Sequence, residues 1–295
     1  MKNKRFVALG LTPAFTFITV FMIIPIVWGL GLAFTDYKPL ARQINFVGID
    51  NFTRLFDDKI FNIALKNTLV FTFVTVAINI VLTLAIAHFI TLLKSNKARS
   101  LLRAAFFMPC VAPLVASSTV WGQMYSVKYG LINNLLNTLF NMPPQKWLGD
   151  PATVLPAIIV FTLWADIGFN IIIFSAGMDG IPTEFYESAV LDGAGKIAKF
   201  FRITLPLLRR TICFVVTMTL ISHFQMFAQF EVMTRTASGS GGPANAGMVL
   251  TLDIYKTAFK YKQMGYASAM AIVLFVIIFV CSIISQRLNR IDWSY

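Results

Sequence analysis

Charge is scarce in this chain of 295 residues. Asp, Glu, Lys and Arg make up 13%, where a soluble domain carries about a quarter. That shortage excludes an ordinary water-soluble fold. Histidine is scarcer still: there are two, His88 and His223, far apart. With no HExxH and no GxSxG, neither a metalloenzyme nor a hydrolase finds its groups, and no catalytic or metal-binding residue is assigned. The three cysteines, Cys110, Cys213 and Cys281, fall in apolar runs and form no CxxC pair. They support neither a disulfide framework nor a zinc site. "GAGK" invites comparison with a phosphate loop, which needs a glycine five residues before its last Gly and Ser or Thr after the Lys. Val190 and Ile197 stand at those places. Internal repeats, heptads and low-complexity tracts are also missing.

Long hydrophobic runs are what the chain has. It is 57% hydrophobic with a mean hydropathy of +0.72. Several runs reach the ~20 residues that cross ~30 Å of hydrocarbon as a helix. The roughly ten-residue alternation of a β-barrel is not seen. The fold class is therefore an all-α polytopic membrane protein, one transmembrane domain over residues 1–295. Six transmembrane helices are expected near 8–34, 67–93, 104–126, 154–178, 211–233 and 264–286. The first run follows MKNKRF. It is too long for a typical signal-peptide core and shows no A-x-A site, so it reads as a retained span. In the third, "MPCVAP" places Pro109 and Pro113 four apart, which should kink or break the helix.

The net charge of +12 does not imply nucleic acid, because no basic module stands apart from the spans. The basic residues set topology and meet lipid headgroups. With the N-terminus in the cytoplasm, the inside segments hold 14 of the 25 Lys and Arg. Their density is about twofold that of the longer outside segments, as the positive-inside rule requires. Both termini and the segment 179–210 then face the cytoplasm. Outside lie a mixed-charge, locally ordered loop at 36–66, an Asn-rich amphipathic run after Lys128 that reads as an interfacial helix, and the turn-rich loop "RTASGSGGPANAG".

The segment 179–210 is unusually polar. Pro182 and Thr183 make a helix start, and Glu184 and Glu187 sit in the first turns, where the helix dipole favours acids. Tyr186, Ala189 and Val190 share a face. Gly193-Ala194-Gly195 breaks the helix. Ile197, Phe200, Phe201, Thr204 and Leu208 share the face of a second helix lying along the membrane and leading into span five. Two readings stay open on these grounds alone: a compact object that docks into a soluble partner, or an ordinary loop with an interfacial helix.

The spacing carries a resemblance. Glu187-Ser188-Ala189, three residues, Gly193, nine residues, then Ile203-Thr204-Leu205-Pro206 resembles the Glu-Ala-Ala…Gly…Ile-x-Leu-Pro signature of permease subunits of bacterial ABC importers, with Ser188 in place of the second Ala. "GLINNLL", "GFNIIIFSAGMDGIPTEFYESAVLDGA" and "MGYASAMAIVLF" are similar to the carbohydrate-importing, maltose-type branch, over roughly residues 10–290. The resemblance implies a subunit of the bacterial inner membrane that translocates a sugar, an oligosaccharide in the first instance. It implies a second, non-identical permease, two ATPase subunits that hold ATP and Mg, and an extracytoplasmic solute-binding protein; no cofactor belongs to this chain. Glu187, Ser188, Ala189, Asp192, Gly193, Ile203, Leu205 and Pro206 would couple to the ATPase. Gly193 would permit the turn, since a side chain there would clash or strain the backbone.

Polar residues inside spans are costly and face a bundle interior or an aqueous cavity. Asn79, His88, Gln123, Asp166, Asn170, His223, Gln225 and Gln229 qualify, and Trp121, Tyr125 and Trp164 offer aromatic faces that suit sugars. Of these, Trp121, Gln123, Tyr125, Trp164, Asp166, Asn170, His223, Gln225 and Gln229 are the candidate substrate path. His88, near a helix end, reads as structural, and Asn and Gln also serve simply to bond neighbouring helices. The alternatives are a permease for a non-sugar solute, or an ion-coupled secondary transporter. The latter would want inverted repeats and several buried acids, whereas only Asp166 lies deep in a span.

Overall fold

The computed structural model describes residues 4–41, 43–236 and 239–288. The placement of the chain ends falls largely on 1–3 and 289–295, outside the described residues, as do positions 237–238 of the outer Gly/Ser loop.

Among the described residues the chain is helical, with only two isolated β-bridges, Thr35–Phe46 and Thr236–Gly239. Helix α1 (Lys4–Ile18) runs through a π-helical turn, Thr19–Ile23, into α2 (Ile24–Leu32). After α3 (Asp50–Asp57) come α4 (Lys59–Thr91), α5 (Asn96–Val111), α6 (Leu114–Met124), α7 (Leu131–Phe140) and α8 (Val154–Asp179). The polar segment holds α9 (Thr183–Leu191), α10 (Lys196–Lys199), a π turn at Phe200–Thr204 and α11 (Leu205–Leu207). Then follow α12 (Arg209–Phe224), α13 (Ala228–Met233), α14 (Leu250–Tyr255) and α15 (Met264–Leu288). Among the described residues four helices are long and apolar enough to cross a membrane, or up to six if each of two bent pairs is one span.

The bent pairs correct the expected boundaries. Span three is not one rod over 104–126: α5 and α6 meet at 93°. Of the two prolines only Pro113 breaks the helix. It forces Ala112 to an extended ψ of 139°, as a residue before proline prefers, while Pro109 stays inside α5. The helix starts eight residues before 104 because Ser95 caps it, accepting from the Ala98 N–H at 3.3 Å. Span five is not continuous over 211–233: α12 ends at Phe224, and α13 begins only at Ala228. The Met226 carbonyl freed there accepts from Thr251 Oγ1 at 2.5 Å, which makes the break tolerable. Span two starts earlier than 67, at Lys59, because Asp58 Oδ1 accepts from the N–H groups of Ile60 and Phe61 at 2.9 and 3.2 Å.

The chain divides into two compact units, Met1–Asn62 with Asp253–Val276, and Ile63–Leu252 with Ile277–Tyr295. The first bears out local order in the loop at 36–66. Asp36 accepts from the backbone N–H and side-chain amide of Asn45 at 2.7 and 2.9 Å. These bonds hold its carboxyl below the usual carboxylate range. Asn51 donates to the carbonyls of Ala33 and Thr35, both at 2.8 Å. Tyr266 donates to Asp58 at 2.8 Å, and the Arg54 guanidinium lies 4.2 Å over the Tyr266 ring.

In the second unit α8 is the central rod. It meets α5 where Gly168 lies against the backbone of Phe106 and Phe107 so closely that an added Cβ would overlap it. At the α9 end, Asp179 pairs with Arg103 at 2.6 Å and Arg99 at 3.7 Å. Arg99 also donates to the carbonyls of Leu93 and Thr91 at 2.7 and 2.5 Å, closing the end of α4. Near α7, buried Asn133 accepts from Trp147 Nε1 at 2.8 Å and donates to the Gln145 carbonyl at 2.9 Å. One side of α7 is pinned in this way while Leu131, Leu135, Leu139 and Phe140 stay exposed, as an interfacial helix requires.

Candidate functional site

The polar segment folds as an elbow. α9 starts after Pro182, carries Glu184 in its first turn, and ends in a Schellman motif. The Ala194 N–H reaches back to the Ala189 carbonyl at 2.8 Å, and the Gly193 N–H to the Val190 carbonyl at 3.0 Å. Gly193 occupies the left-handed position, with φ +76°. No atom lies within 4 Å of where its Cβ would be. Of the two expected reasons for glycine, backbone strain therefore holds, and a clash within the chain does not.

Glu187, Ser188 and Asp192 are exposed, and Ala189 is buried. The Ser188 hydroxyl donates to the Glu184 carbonyl at 2.7 Å, so Ser in place of the signature's Ala is accommodated on the helix itself. Tyr186 faces inward and meets Thr204 Oγ1 at 2.9 Å, tying the two arms together. Val190 does not share that inward face. It is 57% exposed, Leu191 is 89% and Ile197 is 77%. The elbow thus displays large apolar side chains beside the Glu187 carboxylate.

The second arm turns 67° into α12. Leu208 sits at the bend, fully buried among Ala87 and Ile90 of α4, Ile171, Phe174 and Met178 of α8, and Val215 of α12. Ile203 and Leu205 are half-buried and Pro206 is exposed. Leu208 thus packs the second arm against three membrane helices in one close-packed cluster. His88 lies beside it, its ring 4.5 Å from that of Phe200. This is a packing role, as expected from its place near a helix end.

Three candidate path residues come together. Asp166, Asn170 and His223 line one cavity of about 380 Å³ with Phe107, Cys110, Phe169, Met218, Thr219 and Ser222. Behind its wall runs a polar ladder. Asn170 donates to Asn79 Oδ1 at 2.7 Å and Thr219 Oγ1 at 3.2 Å. His223 Nδ1 lies 2.8 Å from the Thr219 carbonyl, and its Nε2 lies 3.7 Å from Asp166 Oδ2. A carbonyl only accepts, so Nδ1 carries a hydrogen. The buried Nε2 makes no hydrogen bond.

The other candidates lie elsewhere. Trp121, Tyr125 and Trp164 form an aromatic group with ring separations of 5.7 and 5.3 Å from Trp121. Tyr125 is buried and donates to the Ala157 carbonyl at 2.9 Å, so its hydroxyl is committed to the fold. Gln123 borders a separate cavity of about 350 Å³ with Ser118, Thr119 and Arg235. Gln225 is exposed at the end of α12. Gln229 is buried and donates to the Met226 sulfur, with Oε1 unpaired. Sequence reasoning passed over Thr219, Ser222 and Cys110, because hydroxyls and thiols are common in membrane helices; Thr219, four residues before His223 on α12, was the one with an available signal, whereas Cys110 comes from α5.

Bent apolar helices around a cavity that holds Asp166, Asn170 and His223, with an exposed elbow locked to three of them, define a helical membrane transport subunit. Among the described residues no group of three His, Cys, Asp or Glu is placed to hold a metal ion. Residues 84–291 match the family described as binding-protein-dependent transport system inner membrane component, and the chain belongs to it. It is a transporter permease subunit of the inner membrane, not a catalytic enzyme. It is 32% identical over 285 residues to the diacetylchitobiose uptake system permease protein NgcF of Streptomyces coelicolor, covering 92% of this chain and 78% of that protein. It is 34% identical over 278 residues to the lactose transport system permease protein LacF of Rhizobium radiobacter, covering 93% and 90%. Its fold is similar to that of a chain in the crystal structure of a bacterial alginate ABC transporter in complex with an alginate pentasaccharide-bound periplasmic protein. The TM-score is 0.86 at 23% identity, covering 98% and 95%.

Proposed function

We propose that this chain forms, with a second and non-identical permease, the membrane pathway of an ATP-driven importer for an oligosaccharide. An extracytoplasmic binding protein delivers the sugar. Two separate ATPase subunits hold ATP and Mg, and the elbow Glu187–Gly193 seats in one of them. Both chain termini and the elbow face the cytoplasm. The observation that carries this reading is the elbow itself: a Schellman-capped helix that exposes Leu191 and Glu187, with a second arm packed through Leu208 against α4, α8 and α12. The sugar assignment draws on relatives that serve diacetylchitobiose and lactose, and on a cavity whose polar side chains suit hydroxyl groups.

ATP closes the ATPase dimer, which draws the elbows together. The bend at Leu208 converts that motion into rocking of the spans, with the cavity opening to one side and then the other. ATP and the loaded binding protein both favour the outward-open state, so each must strengthen the other's binding.

The test is to solubilise the chain, identify what accompanies it, and measure ATP hydrolysis by the recovered complex. An ATPase and a second permease should co-purify. Hydrolysis should rise several-fold with binding protein plus its sugar. Response to an amino acid or phosphate alone, or solute transport by the chain without an ATPase, contradicts the proposal.

A further inference from the structure

The cavity at Asp166 has a one-sided chemistry. Among the described residues that line it there is one acid and neither Lys nor Arg. The Asp166 side chain keeps 34% exposure, while His223 beside it is 1% exposed. His223 has Nδ1 on the Thr219 carbonyl and a buried Nε2 with no hydrogen bond; a charged ring with an unpaired N–H is costlier to bury than a neutral one, so the ring is neutral and leaves the pair with an ionised Asp166 at minus one. Asn170 uses its amide hydrogens on Asn79 and Thr219, which leaves the acceptor Oδ1 for a ligand. Thr219, Ser222 and Cys110 bring hydroxyl and thiol groups that can donate as well as accept, so the one-sidedness lies in the formal charge, which is Asp166's alone among the described lining residues. Sugar hydroxyls donate to such a wall. A carboxylated sugar would bring its own acceptors and negative charge to a place with no cation, and desolvating an unpaired carboxylate is costly.

Resting on the sugar reading above, we propose that Asp166 is a charge-selectivity residue: it holds this cavity at negative potential, so that neutral and cationic saccharides pass and carboxylated ones are rejected. Two of the fixed acceptors belong to α8 and the imidazole to α12, so the filter sits where the elbow's motion arrives. Asp166 acts on the solute by field and by accepting hydroxyl hydrogens, with no covalent step.

Cys110 lines the same cavity and serves as a reporter. In the full purified complex, its modification by a cationic and by an anionic methanethiosulfonate is followed by mass spectrometry of its peptide. Both rates are normalised to a simple thiol. A unit charge several ångströms away in a water-filled cavity changes the two rates in opposite senses, giving a ratio of about tenfold in favour of the cation at low ionic strength. The ratio should fall toward one at high salt and in Asp166→Asn, and persist in Asp166→Glu. Equal rates at low salt overturn the proposal, as do an unchanged ratio in assembled Asp166→Asn and no labelling by either reagent. If Asp166→Asn does not assemble, the salt dependence of the wild type decides. Uptake of a neutral oligosaccharide and of a uronate-containing one of equal length gives the second readout, and equal uptake by the wild type also overturns it. The labelling needs no sugar. A tenfold ratio in a complex that answers to no sugar would refute the function proposed above and leave the electrostatics standing. Sugar-driven hydrolysis with no ratio would do the reverse.

Discussion

Gly193→Val should abolish most transport while leaving the chain inserted and the associated ATPase active, with uptake in vesicles falling at least about tenfold. The cause lies in the backbone. Gly193 holds φ +76° and donates to the Val190 carbonyl, and Ala194 donates to the Ala189 carbonyl. A β-branched residue resists that conformation by about 1–2 kcal/mol or more, so the cap opens and the second arm loses its angle to α9. Among the described residues no atom fills the space a side chain would take. Loss of function should therefore follow tolerance of left-handed backbone rather than volume. Asn should retain the most uptake, Ala less and Val least. Gly195, at φ −70° with open space around it, should accept Ala with little change. Asn as harmful as Val would show that this account of the turn is mistaken.

The second large effect belongs to Gly168. A Cβ there would overlap the carbonyl of Phe106 and approach the Phe107 Cα. These are backbone atoms, so no rotamer change relieves the contact and α5 must move off α8. Overpacking of this kind costs about 1–3 kcal/mol where side chains can adjust, and more is expected here. Gly168→Ala should lower the melting temperature of the detergent-solubilised complex by several degrees, and Gly168→Val should leave little folded chain. Gly122→Ala, where nothing lies within 4 Å, provides the comparison. A wild-type melting curve for Gly168→Ala would show that the two helices do not pack so closely. Because α5 brings Cys110 and α8 brings Asp166 to the same cavity, the loss should extend to the site.

Much of the fold was legible because a membrane simplifies the code. Apolar length announces a span, and the centres of all six expected spans fall on apolar helices. The ends were less legible. Helices run past the ends of the apolar runs where polar caps such as Asp58 and Ser95 hold them, and hydropathy does not register a cap. Pro113 announced its break. The break after Phe224 carries neither Pro nor Gly, and the residue that makes it tolerable, Thr251 at the Met226 carbonyl, is distant in sequence. In the elbow, spacing placed the cap and both arms. Val190 was misplaced because a nine-residue helix that ends in a turn presents its last residues outward whatever their polarity.

At the cavity, Asp166, Asn170 and His223 stood out as polar residues in apolar helices, and the fold gathers them. Tyr125 and Gln229 stood out equally and are turned to Ala157 and Met226 instead. Residue type alone does not distinguish a group that bonds a neighbouring helix from one that faces a cavity; that is a matter of rotation about the helix axis, which a nearly uniform apolar surround leaves unmarked.

The central claim is that the elbow seats in a separate nucleotide-hydrolysing subunit. A photo-crosslinking residue at Leu191, which is 89% exposed, tests it most directly in native membranes. The captured protein should be an ATPase, with the yield changing when ATP is added. Capture of lipid alone, or reaction of Leu191→Cys with an impermeant thiol reagent added outside intact cells, would contradict it.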